Sequence, residues 1–162
     1  MNTITDSLLL EILDYDSISG VFTWAKKPNK NISIGSIAGS KTSDGYCRIK
    51  VLGAEIKAHR LAWLHHYKEW PSLEIDHING DRFDNRISNL REVTGSENMQ
   101  NLRSAMRTNK TGLLGVSSSF GKWRARIWVS GIAHSLGTFK TPEAAHDAYV
   151  CAKRDMHSTC TI

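Results

Sequence analysis

The chain is predicted to fold as an α+β protein built from small antiparallel sheets and short helices. Between Gly20 and Leu52, short β-type segments alternate with Gly and Asn turns. The segment GKWRARIWV alternates between apolar and polar residues, which is typical of a strand with one buried face. The segments Ala58–Tyr67 and Ala144–Met156 instead carry apolar residues at helical spacing.

The first hundred residues are predicted to hold three helices and several short strands. Residues 6–14 are predicted to form the first helix, which Asp6 caps and whose apolar stripe consists of Leu8, Leu9, Ile12 and Leu13. The strand candidates are VFTW, SIAG and YCRIKVL. A helix over Ala58–Tyr67 stops before Trp70-Pro71, because the residue before proline disfavours helical backbone.

A short helix and a linker are predicted to connect this half to the rest of the chain. Ser96 is predicted to cap a helix that runs to about Arg103. Residues 104–111 are polar, basic and poorly periodic, which indicates a linker.

The last fifty residues are predicted to form a three-stranded antiparallel sheet packed on one helix. On the strand GKWRARIWV, alternate side chains point to opposite faces. One face carries Trp123, Ala125 and Ile127, and the other carries Arg124, Arg126 and Trp128. Ser130-Gly131 is predicted to form the tight turn to the next strand, around IAHSLGTF. The final helix starts at Thr141-Pro142, and its alanines allow close approach to one face of the sheet.

The positive charge of the chain is concentrated in its second half. The net charge is +5, yet no acidic residue occurs from Asn98 to Pro142. Seven basic residues lie in that run: Arg103, Arg107, Lys110, Lys122, Arg124, Arg126 and Lys140. Charge of one sign over such a length favours a polyanionic partner, although a solvated basic surface is the alternative.

The cysteines and the N-terminus favour a cytoplasmic protein. Cys47, Cys151 and Cys160 form no CxxC pair, so neither a disulfide framework nor a zinc site is expected. The first residues are acidic and lack the basic region of a signal peptide. No apolar run approaches the roughly 18 residues that span a bilayer, so no membrane association is expected.

The segment EIDHINGDRFDNRISNLREVTGSEN carries the densest set of chemically active side chains. A carboxylate in Asp76 and an amide in Asn98 offer hard oxygen ligands, suited to a cation such as Mg²⁺. His77 can take a proton from water near neutral pH. The arginines of the segment suit phosphate groups. These parts indicate a nuclease, whereas the alternative is an Asx-rich hairpin loop without chemistry.

The same segment resembles the HNH endonucleases, also called His-Me finger nucleases, and particularly the phage homing type. The resemblance extends upstream through YDSISGVFTW, GSIAGSKTSDGYCRIKV and AHRLAW. It implies a ββα-metal unit in which a hairpin and a helix clasp one Mg²⁺ or Mn²⁺ ion. It also implies hydrolysis of phosphodiester bonds in double-stranded DNA, in the cytoplasm of a host bacterium.

The resemblance also assigns roles to four residues. Asp76 would be the first metal ligand and His77 the general base. Asn89 would brace the loop that positions the histidine, as part of the catalytic set. Asn98 would be the second metal ligand, at a position where the family often has histidine.

Residues 112–158 resemble a second family, the ethylene-response-factor (Apetala-two type) DNA-binding domain. The resemblance is carried by GV, GKWRARI and LGTFKTPEAAHDAY. It implies a sheet that enters the major groove, where arginines contact base edges and phosphates. One departure is that Ser117, Ser118 and Ser119 stand where that family has arginines.

These expectations divide the chain into a nuclease unit over 1–103, with its core motif at 74–103, the linker, and a DNA-binding domain over 112–162. The expected DNA contacts are Arg82, Arg86, Arg91, Arg103, Arg107, Lys110, Lys122, Arg124, Arg126 and Trp128. No obligate protein partner is expected. Two other functions stay open, a non-catalytic DNA-binding regulator that uses the sheet-and-helix domain and an RNA-directed protein.

Overall fold

A computed structural model describes residues 5–102, 105, 108–157 and 160 of the chain. The chain divides into two compact units, of which the first ends at Val93 and the second begins at Thr94. Both mix helices with small antiparallel sheets, which confirms the predicted α+β class. Within the described ranges, no helix is long and apolar enough to cross a membrane.

The described part of the first unit, from residue 5 on, contains two helices and three small antiparallel sheets. Its elements are α1 (Asp6–Ile12), β1 (Leu13–Asp16), β2 (Val21–Trp24), β3 (Ser40–Lys41), β4 (Cys47–Val51), β5 (Ala54–Lys57), α2 (Ala58–Tyr67), β6 (Glu74–His77) and β7 (Leu90–Val93). Strands β1 and β2 pair, β3-β4-β5 form a sheet in that order, and β6 pairs with β7. A 3₁₀ turn over Ile87–Asn89 leads into β7.

Three predictions for the first elements are wrong: the end of the first helix, its capping residue and one strand. The first helix ends at Ile12 rather than at residue 14, because Leu13 begins a strand and pairs with Trp24. Thr5 occupies the N-cap position, while the Asp6 carboxylate accepts a hydrogen bond from the indole of Trp70 at 2.7 Å. The segment SIAG is not a strand and makes only an isolated bridge between Ile37 and Thr23.

Helix α2 forms over Ala58–Tyr67 as predicted and anchors the core of the first unit. Its residues Ala58, Leu61, Ala62 and Leu64 are fully buried. They pack in one cluster with residues of the strands, among them Leu13, Phe22, Ile49, Val51, Ile75 and Leu90. Because Ile75 and Leu90 belong to β6 and β7, the core fixes the hairpin that carries the Asp-His pair.

The second unit contains a short helix, a three-stranded sheet and a long helix. Its elements are α3 (Gly95–Gln100), β8 (Val116–Ser119), β9 (Lys122–Val129), β10 (Ile132–Phe139) and α4 (Pro142–Met156). Strand β9 lies in the middle of the sheet and pairs antiparallel with β8 and β10. The predicted start of α4 is confirmed, since Thr141 accepts a hydrogen bond from the Ala144 amide and proline stands in the first turn.

The predicted faces of β9 are also confirmed. Ala125 and Ile127 are buried, and Ala125 packs with Ala145 of α4. Trp123 is partly buried against the same cluster. Arg126 and Trp128 are exposed, so the sheet is covered by α4 on one face and presents the other side chains outward.

Candidate active site

The hairpin of β6 and β7 sets the positions of Asp76 and His77. In the antiparallel register, Asp76 lies opposite Arg91 and His77 lies opposite Leu90. Because side chains alternate along a strand, Ile75 and His77 point to the buried side and Asp76 to the other. The Asp-His pair is therefore split between the two faces of the hairpin.

Asn89 ties together the two ends of the loop that joins these strands. Its Oδ1 accepts a hydrogen bond from the Asn79 amide at 2.9 Å, and its Nδ2 donates to the Asp84 carbonyl at 2.8 Å. The Ile78 amide also donates to the Asn89 carbonyl at 2.8 Å. Asn89 is 7% exposed, so these bonds are shielded from water. This geometry is what a residue that braces the loop after His77 requires.

The two aspartates of the loop organise its backbone. Asp81 Oδ1 accepts from the Phe83 amide at 3.0 Å, which forms an Asx turn. Asp84 accepts from Asn79 Nδ2 at 2.7 Å and pairs with Arg86 at 2.6 Å. The Arg86 guanidinium holds the pKa of Asp84 below its ordinary value. Arg86, predicted as a DNA contact, is thus engaged in an ion pair within the loop.

His77 is 5% exposed and lies among polar and aromatic side chains. Its Nε2 is 3.5 Å from Asn85 Oδ1, and Asn85 Nδ2 in turn donates to the Phe83 carbonyl at 2.9 Å. Burial lowers the pKa of His77, against smaller opposing effects of Asn85 and the nearby aspartates. The imidazole is therefore neutral at neutral pH and carries a nitrogen lone pair that can accept a proton.

Asp76 is bound by Arg91 on the neighbouring strand. Its Oδ2 accepts from Nε at 3.0 Å and from Nη2 at 2.9 Å. The Asp76 side chain is 12% exposed and that of Arg91 is 25% exposed. Arg91, predicted as a DNA contact, therefore also orients the carboxylate that was predicted as a metal ligand.

Asn98 belongs to α3 in the second unit, whereas Asp76 belongs to the first. Thr94, rather than the predicted Ser96, caps this helix. The Thr94 side chain accepts from the Glu97 amide, and the Glu97 carboxylate accepts from the Thr94 amide, which is a capping box. The helix ends at Gln100, before Arg103, and both Arg103 and Arg107 lie outside the described residues.

The other predicted DNA contacts are spread over both units. Arg82 Nη1 donates to the Asp44 carbonyl at 3.0 Å, and its guanidinium lies 5.0 Å from the Tyr46 ring. Arg124 donates to Ser119 Oγ at 2.9 Å. Lys110, Lys122 and Arg126 are exposed.

Trp128 is 59% exposed on the sheet of the second unit. It lines a cavity of about 420 Å³ together with residues of α3 and α4 such as Met99 and Tyr149. The predicted outward direction of this tryptophan is confirmed, and an apolar cavity beside it was not predicted.

The chemistry of the donor set fits a hard divalent ion. In the described part of the chain, no group of three or more His, Cys, Asp and Glu side chains could hold a metal ion. Among the described residues, a metal at Asp76 would therefore have at most one further ligand of these four types, and the others would be amide oxygens, solvent or phosphate, which are hard oxygens. Mg²⁺ is commonly bound in this way, through one or two protein ligands plus water and substrate phosphate.

Comparison with known proteins identifies the segment that carries this geometry. Residues 57–100 match the profile of the HNH endonuclease family. An uncharacterized HNH endonuclease of Acanthamoeba polyphaga mimivirus is 37% identical to the chain over 79 residues. That alignment covers 44% of this chain and 20% of the relative, so the chain spans about a fifth of the length of the relative it matches. No solved structure matches the chain.

The matched segment runs from the end of β5 through α2 and the hairpin to the end of α3. It contains all four residues to which the sequence assigned a catalytic or metal-binding role. HNH nucleases act on DNA and generally use divalent metal ions. Residues 57–100 are therefore similar to the HNH endonuclease family, and both comparisons support a nuclease of the HNH type.

Proposed function

We propose that this protein is a metal-dependent endonuclease that hydrolyses phosphodiester bonds of double-stranded DNA, in a homing-type role in a phage. The observation that carries the proposal is the placement of His77. A buried, neutral imidazole follows directly after Asp76, and Asn89 braces the loop behind it. All three residues lie in the segment that matches the HNH endonuclease family.

His77 would act as the general base. The attacking water must lose a proton as it approaches the scissile phosphorus, and a neutral imidazole can accept it. Burial favours this neutral form, because it disfavours the charged imidazolium. Asn89 supports the reaction indirectly, since it fixes the loop whose Asn85 side chain meets the imidazole.

Asp76 and Asn98 would hold one Mg²⁺ or Mn²⁺ ion through a carboxylate and an amide oxygen. When bound, such an ion stabilises the negative charge that develops on the phosphate and on the leaving 3′ oxygen. Arg91 contributes by orienting the Asp76 carboxylate from the neighbouring strand. The family resemblance implies products with a 5′ phosphate and a 3′ hydroxyl.

The second unit would hold the duplex, as an ethylene-response-factor type domain does. Its sheet presents Arg126 and Trp128 on the face away from α4, and Arg124 lies on the same face. The absence of acidic residues between Asn98 and Pro142 supports a polyanionic partner for this unit. Lys110 and Lys122 would add contacts to phosphates, as would Arg82, Arg86 and Arg91 in the first unit.

The test of the proposed function is cleavage of supercoiled plasmid by the full chain. With Mg²⁺ or Mn²⁺ present, nicked or linear DNA should accumulate, and excess EDTA should stop the reaction because the Asp76 site then lacks its ion. Undiminished cleavage in EDTA would refute metal dependence. Duplex binding without cleavage under any divalent ion would instead favour the regulator that uses the sheet-and-helix domain.

The two faces of β9 predict different effects for substitutions of Arg126 and Trp123. Arg126→Ala should weaken duplex binding and lower the salt slope by about one unit if Arg126 contacts a phosphate, without loss of fold. Trp123→Ala should lower the free energy of unfolding by roughly 2–3 kcal/mol, because the ring packs on the core beside α4. The measurements are binding across salt concentrations and urea denaturation of each full-length variant. A stable Trp123→Ala protein together with an unfolded Arg126→Ala protein would show that the DNA-facing side of the sheet is assigned wrongly.

A further inference from the structure

Two aromatic rings, those of His59 and Tyr46, lie against the ring of His77. The His59 ring lies 5.1 Å from the His77 ring, at an interplanar angle of 81°. The Tyr46 ring lies 5.2 Å from His59 and 6.0 Å from His77. We infer that His59 is a positioning residue of the nuclease reaction, holding the His77 ring in the orientation in which it takes a proton from water. This inference rests on the function proposed above.

The position of His59 is fixed by the buried side of α2. It is the second residue of α2, between the fully buried Ala58 and a turn of helix that buries Leu61 and Ala62. His59 itself is 4% exposed. An edge-to-face contact from a ring anchored in this way restricts the rotation of its neighbour, since aromatic pairs have preferred relative orientations.

His77 needs such a restraint because its hydrogen bond to Asn85 is long. At 3.5 Å, the distance from Nε2 to Asn85 Oδ1 is at the limit of a hydrogen bond and does not by itself define the plane of the imidazole. Rotation about the last side-chain torsion of histidine has two broad minima, and a half turn exchanges ring nitrogens with ring carbons. Contact with the His59 ring hinders this rotation of the His77 ring.

The surroundings of His59 argue against a role as the base itself. Burial lowers its pKa to about 3, with further lowering by His77, Lys57 and Arg60. A group of such low basicity is a poor proton acceptor near neutral pH. The Nδ1 atom is buried without a hydrogen-bond partner among the described residues. The His59 ring therefore acts through its shape and its contact with His77.

Tyr46 completes the arrangement and links it to the catalytic loop. Lys57 Nζ lies 4.5 Å from the centre of the Tyr46 ring, and the Arg82 guanidinium lies 5.0 Å from it. Cations in these positions are attracted to the ring face. Because Arg82 belongs to the loop between β6 and β7, the loop, Tyr46 and His59 all converge on the His77 side chain.

The experiment compares two substitutions of His59 that both remove its nitrogens. His59→Phe keeps a flat ring in contact with His77, whereas His59→Leu keeps apolar volume without a ring. With saturating plasmid and metal, kcat should fall about 10- to 100-fold for His59→Leu and stay within about threefold for His59→Phe, because small misplacements of a reacting group have effects of this size. KM and duplex binding should change by no more than about twofold in either variant.

His65 offers a matched control on the same helix. It is a partly buried histidine whose ring packs against Phe22 at 5.4 Å and Tyr15 at 6.1 Å, and burial lowers its pKa to about 4. It has no place in the proposed catalytic set. His65→Leu should therefore keep the wild-type kcat, even where it lowers the melting temperature as much as His59→Leu does.

A second readout does not depend on activity. In spectra of the full chain with ¹⁵N-labelled histidine, the ring signals of His77, identified by their loss in His77→Ala, should shift or broaden in His59→Leu and stay in place in His65→Leu. Wild-type kcat or unchanged His77 signals in His59→Leu would overturn the inference, as would a His59→Phe variant as slow as His59→Leu. If the wild type does not cleave, or if His77→Ala cleaves normally, the proposed function fails and the inference with it.

Discussion

Replacement of His77 by alanine is expected to lower the cleavage rate about 10²- to 10⁴-fold, the range that general base catalysis contributes. The physical reason is that the buried neutral imidazole is the group proposed to accept the proton of the attacking water. Duplex binding should be retained, because binding is assigned mainly to the second unit. The measurement is the initial rate of nicking of supercoiled plasmid at saturating protein, together with the dissociation constant for the same duplex.

A control for this variant is available on the outer face of α2. His66 is exposed, and its ring contacts Tyr67 rather than the hairpin. His66→Ala should cleave at the wild-type rate, which would exclude a general effect of removing a histidine from the first unit. Near-normal turnover in His77→Ala, with His66→Ala as active, would place the base at another residue and contradict the proposed mechanism.

Helix α2 and the C-terminal sheet could be predicted from the sequence because local signals specify them. Trp70-Pro71 limits the helical pattern of α2 in the sequence, and the helix ends just before it, at Tyr67, with Lys68 in the left-handed conformation. The buried positions of β9 alternate with exposed ones as its sequence does. Strand β5 was not predicted, since it is short and becomes a strand through pairing of Ile56 with Ile49. The cap of α3 had a readable signal, Thr94 followed by Glu97 three residues later, whereas the predicted cap is Ser96.

Some features of the candidate site could likewise be predicted from the sequence, and others could not. The adjacency of Asp76 and His77 and the bonds of Asp81 and Asp84 within the loop follow from residue types and turn chemistry. The contacts of His77 with His59 and Tyr46 could not be predicted from the sequence. These residues are distant along the chain and meet only when α2 and the start of β4 pack in one core. The cross-strand pairing of Asp76 with Arg91 likewise depends on the register of the hairpin.

Replacement of Asp76 by alanine is expected to abolish metal-dependent cleavage, with a loss of at least about a hundredfold. A bound ion is proposed to stabilise the transition-state charge by several kcal/mol, and each 1.4 kcal/mol corresponds to about a tenfold change in rate. Asp76→Asn keeps an oxygen ligand without its charge. Its residual activity should rise with Mn²⁺ concentration, whereas that of Asp76→Ala should not. Both are measured as plasmid cleavage rates over a metal titration.

Loss of the ion pair with Arg91 is a second explanation for lost activity in Asp76→Ala. Without Asp76, the partly buried guanidinium of Arg91 no longer has this partner. Arg91→Ala removes the same ion pair and keeps the carboxylate. If Asp76 is a metal ligand, Arg91→Ala should lose no more than about tenfold in rate and should keep its response to the metal, because saturating duplex offsets the loss of a phosphate contact and leaves only the orientation of the ligand affected. If Asp76 acts only through the ion pair, the two alanine variants should fall equally in rate and in the free energy of unfolding. Equal losses would therefore contradict the assignment of Asp76 as a ligand, even where EDTA still stops the wild-type enzyme.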